Sequence, residues 1–159
     1  MTGQRDVNVV IEIDAPPTEV WRVVEPIESH AEWMSDAAAI HFESEQTRGV
    51  GTTFVADTRI GPIRLSDRME ITDWVPVDDD ESTGRMGVTH SGIVTGTGMF
   101  TIEPLDGGTR TRFSWSEQLD FPWYFAGKLG ERIGGRAILG PIWRRNLDRL
   151  KALVESSAN

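Results

Sequence analysis

The chain has 159 residues, 38% of them hydrophobic and 26% charged, which suits one globular domain with a single core and excludes a disordered chain. Its net charge of −9 opposes non-specific binding to nucleic acid, which is largely phosphate neutralisation, so nucleic acid is not an expected partner. There is no cysteine, hence no disulfide framework and no thiolate chemistry, and no apolar run approaches the roughly 20 residues that span a bilayer.

In chain order, Val7, Val9, Ile11 and Ile13 alternate with Asn8, Val10 and Glu12, the period of a strand. Asp14-Ala15-Pro16-Pro17 stops it, and Pro17 suits the first turn of a helix, where its missing donor is harmless. Val20, Trp21, Val23 and Val24 predict a short helix that Pro26 ends. Residues 27–32 read as a second short helix, closed by Trp33. Two short helices cannot form a long crossover, so they are expected to plug the end of a curved sheet.

Residues 37–120 carry strand and turn signals throughout. Strand two places Ala38, Ile40 and Phe42 on one face; Arg48-Gly49-Val50-Gly51 turns into strand three at 52–59; Gly61-Pro62 turns into strand four at 63–74. Pro76 and the acidic run 78–81 make a polar loop before strand five at 83–90 and strand six at 93–103. Asp106-Gly107-Gly108 is a hairpin signal leading to strand seven at 109–119. Consecutive strands on short turns predict an antiparallel meander. Neither an internal repeat nor a linker is visible, so residues 1–159 form one domain.

From Leu139 the apolar residues Ile142, Trp143, Leu147, Leu150, Leu153 and Val154 fall at helical spacing, opposite Arg144, Arg145, Asp148, Arg149 and Lys151. Upstream, Phe125, Leu129 and Ile133 continue the stripe through Gly127, Gly130, Gly134, Gly135 and Gly140, each of which costs about 1 kcal/mol relative to Ala. Pro141 is expected to kink the element and to separate a firm half at 141–154 from a looser half before it. Segment 122–140, with Trp123, Tyr124, Phe125 and Leu129 on its inner side, is accordingly expected to gate a cavity. An apolar stripe of this length calls for a concave sheet wrapped around it.

Ile13-Asp14-Ala15-Pro16 followed by Val20-Trp21, then Trp33, resembles the opening of the START-like superfamily, the Bet v 1-like or polyketide cyclase/dehydrase-like helix-grip group. Arg48-Gly49-Val50-Gly51-Thr52, Gly108-Thr109-Arg110 and Trp115-Ser116-Glu117 also match its pattern, and the resemblance covers residues 7–155. It implies an α+β helix-grip fold: a seven-stranded antiparallel sheet wrapped around a long C-terminal helix, with two short helices after the first strand. It also implies a cavity between sheet and helix. Members bind lipids, sterols, polyketides or hormones, and some cyclise or dehydrate polyketides, so the fold leaves function open. No shared catalytic set carries across residue by residue, and the chain's length argues against a long sterol tunnel.

Alternation assigns the inward faces. Strand four presents Ile63, Leu65, Asp67, Met69 and Ile71; strand five Met86, Val88 and His90; strand six Gly96, Gly98, Phe100 and Ile102; strand seven Thr111, Phe113, Trp115, Glu117 and Leu119. Glycines inside strand six bend the sheet and leave room. Adding Phe54 from strand three and Trp123, Leu129, Ile142 and Trp143 from the helical segment, the expected ligand-contacting set is Phe54, Leu65, Met69, Met86, Val88, Phe100, Phe113, Trp115, Trp123, Leu129, Ile142 and Trp143.

Three ionisable groups, Asp67, His90 and Glu117, fall on apolar faces. They can end at water or pair with arginines, anchor a polar group of a ligand, or act as acid and base. A bulge would reverse a face. His30, His41 and His90 sit at no metal-ligand spacing, so no metal and no cofactor is expected; nor is there a phosphate loop or a Gly-x-Ser-x-Gly nucleophile site.

Three functions follow. The first expectation is a binding protein for a hydrophobic, lipid- or polyketide-like small molecule, without catalysis. The second is a polyketide cyclase- or dehydrase-type enzyme using Asp67, His90 or Glu117. The third is a protein-interaction domain with a collapsed cavity. A His–carboxylate pair in hydrogen-bond reach inside an open cavity favours the second; a filled interior favours the third. Residues 1–6 carry no basic-then-apolar signal, so a cytoplasmic location and a monomer or weak homodimer are the simplest expectations.

Overall fold

The computed structural model describes residues 4–60, 63–122 and 139–157. Strand β1 (Gln4–Ile13) leads through Asp14–Pro16 to α1 (Pro17–Val24), a 3₁₀ turn (Ile27–Ser29) and a single α-turn, α2 (His30–Trp33). Pro17 occupies the first position of α1, and the helix buries Val20, Trp21 and Val24. Six strands follow: β2 (Ala37–Phe42), β3 (Thr53–Ile60), β4 (Ile63–Val75), β5 (Gly84–Ser91), β6 (Thr95–Leu105) and β7 (Arg110–Asp120). The chain closes with α3, described over Leu139–Ser157.

The strands form one seven-stranded sheet in the order β1-β7-β6-β5-β4-β3-β2, with every neighbouring pair antiparallel. This is the expected meander with β1 added beside β7. It departs from strict alternation at two places, Ala37/Ala39 in β2 and Ile71/Asp73 in β4, where the register shifts. The second shift matters for the core. Alternation from Ile71 would turn Asp73 inward, but the bulge brings Trp74 round instead, opposite Met86 and edge-on to Trp21 with ring centroids 5.4 Å apart. It lies beyond Asp67–Ile71, so the inward face of that stretch is kept.

Helix α3 is described from Leu139, with Pro141 in its first turn, so the expected kink against the segment before it lies outside the described residues. It buries Leu139, Trp143, Asn146, Leu147, Leu150 and Val154, the i, i+3, i+4 stripe read from the sequence with one polar member. Leu147 and Leu150 are fully buried, each contributing about 1.5–3 kcal/mol. The polar face of α3 lies along the outer strand β1. Lys151 Nζ donates to the Glu12 carbonyl (3.0 Å), Arg144 Nη1 to the Val10 carbonyl (3.3 Å), and Glu155 Oε1 accepts from the Asp14 backbone N–H (2.9 Å). Side chains of the helix thus cover an edge strand that would otherwise offer free pairing groups. Among the described residues, no helix is long and apolar enough to cross a membrane.

Candidate functional site

A cavity of about 130 Å³ remains between the concave face of the sheet, the α2–β2 corner and α3. Its apolar wall comes from Met34, Ile40, Phe54, Leu65, Met69, Ile71, Met86, Val88, Val94, Met99, Phe100, Trp115, Leu119, Phe121, Leu139 and Trp143. Its polar groups are His30, Asp36, Thr58, Asp67, His90 and Glu117. The volume is below the roughly 300–1,000 Å³ of pockets for drug-sized ligands, so it suits one or two rings rather than a long acyl chain.

Asp67, His90 and Glu117 meet here. His90 Nδ1 lies 2.6 Å from Asp67 Oδ2, and His90 Nε2 lies 3.5 Å from Glu117 Oε2. Trp115 Nε1 donates to Glu117 Oε1 at 2.8 Å. The register explains how three strands deliver these atoms. Met69 pairs with His90, so Asp67 is the diagonal neighbour two residues along β4. Glu117 stands on β7, two strands away from β5 and hence about 9–10 Å distant in the backbone. The intervening β6 carries Gly96 opposite His90 and Gly98 opposite Glu117, so no side chain stands between them. Gly96 has φ +129°, a conformation that also favours glycine. A Cβ at Gly98 would approach Glu117 Oε1 to 3.2 Å and Val88 Cγ2 to 3.1 Å.

Burial pushes the Glu117 carboxyl up to about 7; the nearby His90 charge and the Trp115 hydrogen bond oppose this, while Asp67 and Asp36 add to it. For His90, burial lowers the pKa, but the Asp67 hydrogen bond and the charges of Glu117 and Asp67 outweigh it and raise the imidazole above 6.5. The two groups therefore titrate as a coupled pair that shares protons. The arrangement also fixes the protons. With Asp67 accepting from Nδ1, neutral His90 presents a basic Nε2; with Oε1 accepting from Trp115, neutral Glu117 carries its proton on Oε2. Among the described residues, His90 Nε2 and Asp67 Oδ1 are buried without a hydrogen-bond partner.

A second polar cluster sits at the rim. Asn146, fully buried on α3, accepts from Ser35 N–H and Ser35 Oγ (2.9 Å each) and donates to Asp36 Oδ1 at 2.6 Å. Burial raises the Asp36 pKa, and the Asn146 bond works against the rise. His30 is buried, donates Nε2–H to the Val24 carbonyl (2.7 Å), and is held near 4 by desolvation, so it is neutral.

Of the expected contact set, Phe54, Leu65, Met69, Met86, Val88, Phe100, Trp115 and Trp143 line the cavity. Phe113 does not: it is fully buried behind the wall, against Phe100 and Trp33. Ile142 is half-buried against the core rather than in the wall, because the helical turn that points Trp143 inward rotates it aside. Trp123 and Leu129, with most of the expected gate at 122–140 and the turn at Gly61-Pro62, lie outside the described residues. Among the described residues, the three ionisable groups pair with one another rather than with an arginine. His30, Asp36 and Asn146 were missed. Asn146 was legible as a polar residue inside the stripe Trp143–Leu147–Leu150; His30 and Asp36, on a short helix and a corner, gave no periodic signal. Among the described residues, no group of three or more His, Asp or Glu side chains is placed to hold a metal ion.

The family described as polyketide cyclase / dehydrase and lipid transport matches residues 4–155. No curated protein matches the chain. Among solved structures, the Zhui aromatase/cyclase from Streptomyces sp. R1128 is 16% identical, with 99% of this chain and 97% of that chain covered and a TM-score of 0.73. A START superfamily protein from Mycobacterium smegmatis is 13% identical, covering 96% and 98%, with a TM-score of 0.72. Norcoclaurine synthase from Thalictrum flavum, solved in complex with dopamine and hydroxybenzaldehyde, is 16% identical, covering 98% and 88%, with a TM-score of 0.63. At these identities the likeness is one of fold.

Proposed function

Because the chain belongs to the polyketide cyclase/dehydrase and lipid transport family, we propose that its cavity binds a small apolar molecule and that Asp67, His90 and Glu117 carry out acid–base chemistry on it, a cyclisation or dehydration. The observation that carries this reading is the His90 contact with Asp67 at 2.6 Å and with Glu117 at 3.5 Å inside a largely apolar wall. Arginine-paired or water-exposed carboxylates would have argued for a structural role instead.

For a β-hydroxy ketone the steps balance within this pair. Neutral His90 takes the α-proton on Nε2, the freed electron pair forms the carbon–carbon double bond, and the C–O bond breaks. Glu117 delivers the proton of Oε2 to the departing hydroxyl, which leaves as water. The imidazolium and carboxylate so formed are neighbours, and the proton passes back, restoring both. Asp67 holds the imidazole with Nε2 toward the substrate and stabilises the imidazolium, and Trp115 keeps Glu117 Oε1 engaged. General acid–base groups of this kind contribute about 10²–10⁴-fold. The apolar enclosure raises the Glu117 carboxyl to about 7, where it is present in both forms, and the two carboxylates raise the basicity of His90.

The test uses an aryl β-hydroxy ketone, with enone formation followed by absorbance and binding followed by quenching of the Trp115 and Trp143 fluorescence. Turnover in the wild type should fall about 100-fold or more in His90→Gln and in Glu117→Gln, with quenching retained. Turnover that survives both substitutions would overturn the acid–base assignment. Quenching without turnover in the wild type would leave only ligand binding standing.

A further inference from the structure

We propose that the cavity selects amines: its ligand is a one- or two-ring apolar molecule carrying a protonated nitrogen, taken in preference to the isosteric alcohol and against the isosteric carboxylate. This rests on the cavity being a ligand site, as above, and names the class of molecule it accepts.

The charge of the wall is one-sided. Asp36, Asp67 and Glu117 face the cavity, and among the described residues no lysine or arginine lines it. Among the described residues, the cations available inside are two imidazoles. His30 is spoken for, with Nε2–H on the Val24 carbonyl and a pKa held near 4 by burial. His90 has Asp67 on Nδ1 at 2.6 Å, so its charge is largely matched by that one carboxylate. The hydrogen-bond donors to Asp36 and Glu117 are neutral, the Asn146 amide and the Trp115 indole, and Glu117 shares the one His90 imidazole with Asp67. With all groups ionised, three carboxylates face one imidazolium, a charge that water cannot screen well inside an apolar wall.

The unpaired atoms point the same way. Asp67 Oδ1 is a buried acceptor without a donor, and His90, only 6% exposed, keeps Nε2 without a partner beside Glu117 Oε2. A buried polar atom left unmatched is destabilising, so the site is incomplete until something supplies donors. An ammonium brings three donors and a positive charge; a hydroxyl brings one donor; a carboxylate brings none and adds a fourth negative charge. The rest of the wall suits a cation as well. Trp115 and Trp143 stack at 4.7 Å and Phe100 stands edge-on to Trp115, giving electron-rich ring faces on which a cation is stabilised.

Without a ligand the site relieves its repulsion by holding a proton on Glu117, whose carboxyl burial pushes up to about 7. A bound ammonium takes that proton's place, so binding should release a proton to the buffer; an amine so held is a bound ligand and not a substrate of the dehydration, which needs Glu117 protonated. The titratable groups facing this exchange are Asp36, Asp67, His90 and Glu117, with His30 neutral throughout.

The probes are 2-naphthylmethylamine, 2-naphthalenemethanol and 2-naphthoate, measured by titration calorimetry at neutral pH in two buffers of different ionisation enthalpy. The expected order is amine tightest, alcohol about tenfold weaker, and carboxylate weaker again by about tenfold or more. Proton release should accompany the amine alone. Glu117→Gln should bring the amine down toward the alcohol and abolish its proton release, while leaving alcohol affinity within about twofold. A carboxylate that binds as well as the amine, or an amine preference untouched in both Glu117→Gln and Asp67→Asn, overturns the proposal. Alcohol binding with no amine preference sinks this inference alone, whereas failure of all three probes sinks the cavity-binding reading beneath it.

Discussion

Replacing Glu117 by glutamine should make the protein more stable, and only at neutral and alkaline pH. The native carboxyl titrates at about 7 against an ordinary 4.5. An acid whose folded pKa is raised binds its proton more tightly in the native state, so its contribution favours folding at low pH and is lost as pH rises from about 4.5 through about 7. Above 7 the buried carboxylate costs roughly 3 kcal/mol relative to the unfolded chain, at about 1.4 kcal/mol per pH unit. Glutamine keeps an oxygen for the Trp115 N–H and never ionises. His90 loses an attractive neighbour in the variant, which offsets part of the gain, so the net lead should be about 1–3 kcal/mol at pH 8. Urea melts at pH 4.5 and pH 8 measure it. The variant should lead at pH 8 and lose most of that lead at pH 4.5. A difference that does not change with pH, or a wild type more stable at pH 8, would refute the burial argument on which the acid–base reading depends. Stability sacrificed at a working carboxylate is the expected trade between function and stability.

Two further substitutions test the framework around the site. Leu147→Ala removes a fully buried side chain from the stripe of α3 and should cost about 2–5 kcal/mol in urea melts; a loss under about 0.5 kcal/mol would mean that this face of the helix is not packed on the sheet. Gly98→Ala adds a Cβ within 3.2 Å of Glu117 Oε1 and should displace the carboxylate from His90, lowering kcat/KM on the β-hydroxy ketone about tenfold or more at a modest stability cost of about 1–3 kcal/mol. Unchanged kinetics in that variant would remove the role given to the gap in β6.

Periodicity made the inward set legible, because it is a local property. A period of two places Thr111, Phe113, Trp115, Glu117 and Leu119 on one face whatever the strand pairs with, and all five are buried on β7. A period near 3.6 did the same for Trp143, Leu147, Leu150 and Val154 on α3. That Asp67, His90 and Glu117 stand on apolar faces therefore followed from the chain alone. Their meeting did not. Asp67 reaches His90 only because the register of β4 and β5 makes them diagonal neighbours, and Glu117 reaches it only across a strand that is bare at Gly96 and Gly98. Register is a relation between residues far apart in sequence, set by which turns and bulges the packed sheet adopts. The bulge at Ile71/Asp73, which exchanges Asp73 for Trp74 in the core, has no signature in the residues themselves. The same holds for Asp36 and His30, which border the cavity because α2 and its corner are pressed against the sheet and α3, the corner by a buried Asn146. Local patterning decided which side chains turn inward; long-range pairing decided which of them touch, and with that their acidity and the chemistry open to them.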